Sequence, residues 1–139
     1  MRSIFVNLPV TDVERAKAFY AGLGFTLNEQ FSGEDTASFV IDEHLYVMLL
    51  SRQRFADFVP GTVGDPAQAT SVLNCLSAES RADVDAMVER AGDAGGTRDP
   101  GRTQDYGCMY GRSFEDPDGH HWEIMWMDLD AALKAMGKA

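Results

Sequence analysis

An imidazole and a carboxylate two residues apart on a strand can grip a metal ion, move a proton or hold a polar ligand, and His121 and Glu123 have that spacing. They follow Asp116-Pro117-Asp118-Gly119, a turn sequence in which Pro fixes φ, Asp bonds its own backbone and Gly supplies positive φ. The aromatic-rich run after it reads as a strand. Side chains alternate along a strand, so His121, Glu123, Met125 and Met127 share one face. His120, Trp122, Ile124 and Trp126 share the other, with both tryptophans expected against a helix. Glu is rarely buried without a partner, which makes Glu123 the candidate catalytic residue. It could serve as a general base or ligand acceptor, as a metal ligand beside His121 with Asn7 or water completing the set, or as a structural residue held by neighbouring donors.

The tract 104–112 is rich in polar and aromatic groups for an interior strand. Tyr106 and Tyr110 offer apolar rings with hydroxyl handles, and Arg112 could hold a carboxylate or phosphate bidentately. The bland alternative is a hairpin packed on a neighbouring subunit or on the loop 52–70. Met109, Met125 and Met127 suit an adaptable pocket wall, or any core. His120 and His44 read as structural or surface residues. The candidate ligand-binding set is thus Asn7, Tyr106, Tyr110, Arg112, His121 and Met125, with His121 and Glu123 as the candidate metal ligands.

These residues are positioned by a pattern written twice. A strand over 4–10 has Val6, Leu8 and Val10 on one face and Phe5, Asn7 and Pro9 on the other. Thr11 and Glu14 form a capping-box pattern before a helix with Val13, Ala16, Phe19, Tyr20 and Leu23 at helical spacing. Strand-like runs follow over 25–31, 37–41 and 45–50. The second half repeats the order: a strand over 71–78, a helix capped by Ser80, and strands over 97–103, 108–114 and 120–127. The expected fold is α+β: two βαβββ modules forming a cupped, barrel-like mixed sheet around one cavity. One domain spans 1–139, with module one at 1–51, a linker at 52–70, module two at 71–127 and a C-terminal helix at 128–139. Within the linker, 52–59 could form a short helix, and Pro60-Gly61 and Asp65-Pro66 are breakers.

The formal net charge of −10 argues against nucleic acid or an anionic membrane as partner. No apolar run approaches the ~18 residues of a membrane span, and the first ten residues lack a signal-peptide pattern. A cytoplasmic location is expected. Cys75 and Cys108 lie in apolar strand-like segments and are expected to be buried and reduced.

The sequence resembles the vicinal oxygen chelate superfamily, which holds glyoxalase I, bleomycin-resistance proteins and extradiol dioxygenases. The resemblance is carried by Val10-Thr11-Asp12 leading into Ala18-Phe19-Tyr20 and Leu23-Gly24-Phe25, and by Phe114 to Gly119 closed by Trp122-Glu123-Ile124. It implies a divalent metal (Zn, Ni, Fe or Mn) held by up to four side chains from the first and last strands of each module. Glu123 matches the last of these positions. The others fall at Phe5, Val47 and Leu73, none of which ligates, and a one-residue shift does not restore a set. The expectation is a small-molecule pocket without the full metal site and with no cofactor. The alternative is a divalent-metal-dependent lyase or isomerase, or an extradiol-type dioxygenase. The resemblance also implies a homodimer, with a small organic molecule as the other partner.

Overall fold

The computed structural model describes residues 1–138. Module one runs β1 (Ile4–Val10), α1 (Val13–Gly22), β2 (Thr26–Leu27), β3 (Thr36–Asp42) and β4 (Leu45–Ser51). A connecting segment carries α2 (Arg52–Ala56). Module two runs β5 (Leu73–Ser77), α3 (Arg81–Asp93), β6 (Thr97–Arg98), β7 (Gln104–Asp105), β8 (Met109–Glu115) and β9 (His121–Met127), followed by α4 (Leu129–Ala135). The strands form two sheets, ordered β1-β4-β3-β2 and β5-β9-β8-β6, with β7 pairing β8. In each module the first strand pairs the last in parallel and the other pairings are antiparallel, so the fold is mixed α+β and the duplication is visible in the topology. The sheets are cupped and do not close into a barrel.

Alternation explains the layering. Leu8, Val10, Val47 and Leu49 from the first sheet and Phe114, Trp122 and Ile124 from the second are buried with the inner faces of α1 and α3 in one core. The opposite faces of both sheets look away from the helices and carry Phe5, Asn7, Leu73, Cys75, His121 and Glu123. Several sequence expectations change. Asp12, not Thr11, caps α1 by accepting from the Arg15 N–H at 3.1 Å. The strand expected over 25–31 shrinks to Thr26–Leu27, because a 3₁₀ turn at Glu29–Phe31 takes over and the Ser32 hydroxyl bonds back to the Asn28 carbonyl at 2.7 Å. The strand expected over 97–103 is broken at Asp99, whose φ is 51°, and at the following Pro100. The linker helix and the C-terminal helix are both shorter than expected; position 139 of the latter lies outside the described residues.

The turn Asp116 to Gly119 is more than a reversal of the chain, since it fastens module two to module one. Asp118 Oδ1 accepts from the Thr11 N–H at 2.9 Å and the Thr11 hydroxyl at 2.8 Å, with the Arg15 guanidinium at 3.4 Å. Asp116 Oδ2 accepts from the Tyr20 hydroxyl at 2.7 Å, and that hydroxyl accepts from the Trp122 indole N–H at 3.1 Å. The His120 ring Nε2 lies 2.7 Å from the Pro9 carbonyl. Burial, the largest cause, raises the Asp116 carboxyl above its ordinary range. Burial, with Asp116 next to it, holds the Tyr20 phenol well above its own range.

Candidate functional site

Glu123 and His121 do share a face, and the Glu123 Oε1 to His121 Nε2 separation is 3.9 Å. That is too long for a hydrogen bond. The Glu123 side chain retains 38% of its exposure, so it is not an isolated buried charge. Its neighbour across the parallel pairing is Cys75. Burial first, and the charge of Glu123 second, raise the Cys75 thiol, the opposite of what a nucleophilic cysteine needs. Cys75 is exposed and Cys108 half-buried, both free, which corrects the expectation of two buried thiols.

The register settles where the other family ligand positions fall. Phe5 pairs with Tyr46 as Leu73 pairs with His121, and Asn7 pairs with Met48 as Cys75 pairs with Glu123. Met48 is therefore the counterpart of Glu123, one residue from the expected Val47, which is buried in the core. The correction leaves the donor set as poor as before. Phe5, Leu73 and Val47 offer no lone pair and Met48 only a thioether, while hard divalent cations want several oxygen or nitrogen donors. Among the described residues no three His, Cys, Asp or Glu side chains converge. The residues present do not fit the family's metal.

Tyr110 and Arg112 stand on the other face of β8, against α3, because they alternate with Met109, Gly111 and Ser113. The Tyr110 hydroxyl donates to Asp85 at 2.6 Å. Arg112 donates to Asp85 at 2.9 Å and to Asp99 at 2.9 and 2.7 Å, with Glu89 at 3.4 Å. Arg112 thus spends its guanidinium on the protein's own carboxylates, and it meets Glu123 only at the edge of a small cleft, while Tyr110 does not line that cleft. Tyr106 is exposed on the turn before β8. Met125 remains with Glu123, and together with Arg102 and Gln104 they line a cleft of only about 20 Å³, room for little more than a water.

The larger spaces lie elsewhere. A cavity of about 300 Å³ is lined by Asn7 and Pro9 of β1, Phe55 of α2, Val72, and His120 and His121 at the start of β9. A second, of about 420 Å³, shares Asn7 and Phe55 with it and adds Leu50, Phe58 and Val59. So Asn7 and His121 line a common cavity, while Glu123 does not line it. The roof was not foreseen from sequence. It is the segment 64–72, expected as linker up to 70 and as the start of a strand at 71–72, although the strand begins only at Leu73, and it is held down at two points. The Arg52 guanidinium donates to the carbonyls of Gly64 at 2.9 Å and Val63 at 2.8 Å. The backbone of Ala67 approaches Gly119 so closely that a Cβ there would lie 3.0 Å from it. Gly119 has φ of 98°, so its identity is needed for conformation and for space. The signal for the roof was the pair of breakers Pro60-Gly61 and Asp65-Pro66, which shape a strap as well as they shape a linker.

Comparison with known proteins agrees with this architecture. Hypothetical protein SA1046 from S. aureus is 25% identical, with TM-score 0.76 over 91% of this chain and 94% of that one. TnmS3, an antibiotic binding protein from Streptomyces sp. CB03234, is 20% identical, with TM-score 0.65 over 92% of this chain and 97% of that one. A lactoylglutathione lyase from Agrobacterium tumefaciens is 19% identical, with TM-score 0.65 over 88% of this chain and 91% of that one. No curated protein matches. A family model described as Glyoxalase/Bleomycin resistance protein/Dioxygenase superfamily matches residues 3–124. The chain with this doubled module therefore belongs to the glyoxalase/bleomycin resistance protein/dioxygenase superfamily.

Proposed function

We propose that this protein binds a small organic molecule in the cavity between its two sheets, and does so without the divalent metal of its chelating relatives. The observation that carries the reading is the joined pair of cavities at Asn7 and Phe55, walled by both modules and roofed by the strap 64–72. Cavities of this size and mainly apolar lining are the usual seats of small ligands. The antibiotic binding protein of the same fold is a precedent for a binding role, and the lyase of the same fold for the enzymatic alternative. The donor set around Glu123 supports the first. His121 then acts as a polar group on the cavity wall, and Glu123, outside the cavity but 3.9 Å from His121, is the residue to examine if a metal-free proton transfer is found.

Two wider features belong to the same reading. The sheet faces turned from the helices leave Phe5, Leu73 and Met127 exposed, which supports pairing of two copies across them. Among the described residues no helix is long and apolar enough to cross a membrane, and with free cysteines a cytoplasmic protein is the reading we adopt.

The test is thermal unfolding of metal-stripped protein against a library of small organic molecules. We expect concentration-dependent stabilisation by at least one class, abolished by Ser71→Trp, which would fill the cavity. Stabilisation that appears only after adding Zn, Ni, Fe or Mn, and is lost in Glu123→Ala, would contradict the proposal.

A further inference from the structure

We propose that the ligand of the joined cavities has two parts, an apolar ring and a polyhydroxylated group, as an aryl glycoside has; this rests on the cavity reading above. The two cavities differ in chemistry. Apart from Asn7, the larger is lined only by Leu50, Phe55, Phe58 and Val59. Aliphatic and aromatic side chains of this kind take an apolar ring and offer nothing to a polar one. The smaller cavity shares Asn7 and Phe55 with it and adds polar side chains from both modules and the strap. Asp65, Thr70 and Ser71 come from the strap, Asn74 from β5, and His120 and His121 from the start of β9. One molecule that fills both spaces therefore meets an apolar wall at one end and a hydrogen-bonding wall at the other.

The polar wall decides what the second part is. Thr70 and Ser71 are exposed and Asn74 is half-buried, and among the described residues none of these three side chains is hydrogen-bonded within the chain. Asp65 uses one carboxylate oxygen to accept from the Ala67 N–H at 3.0 Å and keeps the other. Hydroxyls and amides both donate and accept, whereas a carboxylate only accepts. A ligand edge that satisfies all of them must do both, and a row of hydroxyls does. An ammonium group only donates and would leave the donors of Thr70, Ser71 and Asn74 unmet by the ligand. An ionised carboxylate or phosphate only accepts, and it would face Asp65 with no Lys or Arg on either cavity wall. The two arginines nearby are already engaged, Arg52 with the carbonyls of Val63 and Gly64 and Arg54 with Asp57 at 3.2 Å. Mixed donors and acceptors beside an apolar compartment thus select hydroxyls joined to a ring.

The experiment titrates the full chain calorimetrically with 2-naphthyl glycosides of glucose, galactose, mannose and xylose. The apolar half alone is 2-naphthol, and the charged alternatives are 2-naphthylmethylammonium and 2-naphthoate. We expect the best glycoside to bind at least tenfold more tightly than 2-naphthol and than either charged compound. Asn74→Ala should weaken that glycoside about two- to tenfold, the range of one hydrogen bond, and leave 2-naphthol unchanged. Phe58→Ala should weaken the glycoside and 2-naphthol alike. A glycoside series no tighter than 2-naphthol, tighter binding of the ammonium or the carboxylate, or an Asn74→Ala loss equal for glycoside and 2-naphthol would overturn the two-part ligand. If library ligands bind and are lost in Ser71→Trp while no glycoside exceeds 2-naphthol, the cavity reading survives and the two-part ligand falls. If nothing binds, both fall.

Discussion

At the scale of single residues, the carboxylates of the turn Asp116 to Gly119 have the clearest roles. Asp116 accepts only from donors: the N–H groups of Asp118 and His120 on one oxygen and the Tyr20 hydroxyl on the other. Tyr20 in turn satisfies the Trp122 indole. Tyr20→Phe would leave a buried carboxylate oxygen and an indole N–H unpartnered, each worth about 1–3 kcal/mol. We expect a clear fall in Tm with little change in ligand binding, since Tyr20 does not line the cavity; a Tm within a degree or so of the native value would contradict this role. The turn itself was legible from four residues, because its chemistry is local. Its fastening role was not. The partners of Asp118 lie up to 107 positions away, and nothing in either segment alone announces the other. Glu123 shows the converse. Its face followed from alternation, but its distance from the cavity depends on where the strap comes to rest.

At the scale of elements, β8 and α3 are held together by Arg112, Tyr110 and Asp85. The Tyr110 hydroxyl first and Arg112 second hold the Asp85 carboxyl below its ordinary range. A carboxylate lowered in the folded state adds stability above its unfolded pKa and loses it as pH falls through the folded value. Asp116, raised by burial, has the opposite sign: its contribution is present at low pH and is lost as pH rises through its raised value. We therefore expect the stability gap between the native chain and Asp85→Ala to be complete at neutral pH and to close as pH falls below the ordinary value of 3.8. A gap independent of pH in urea titrations would contradict the ion-pair account. The tract 104–112 looked like a ligand wall because its residue types suit one. Alternation along β8 assigns Tyr110 and Arg112 to the helix side, and the sequence could not say which face of β8 met α3. The strap offers a second element-scale test. Gly119→Ala combines positive φ with a close approach to Ala67. We expect it to lower Tm and to weaken cavity ligands together, because it lifts the roof; unchanged ligand affinity would show that the strap does not shape the cavity.

At the scale of the whole molecule, the doubled βαβββ pattern was readable because hydrophobic periodicity, caps and turns recur in the same order in both halves. What was not readable is how the halves meet. Module one lends Tyr20 to the core beside Trp122, and module two lends Asp118 to the start of α1. That junction places Asn7 and His121 on one cavity and leaves Glu123 on a shallow cleft. The same junction decides between a chelated metal and an open pocket, so the whole account stands on where a ligand sits and what it requires. The most direct measurement is calorimetric titration of metal-stripped protein with the best stabilising small molecule, in the native chain, in Ser71→Trp and in Glu123→Ala. We expect full affinity without metal in the native chain, strong loss in Ser71→Trp and a modest change in Glu123→Ala. Binding that needs one equivalent of divalent metal, survives Ser71→Trp and disappears in Glu123→Ala would contradict the account.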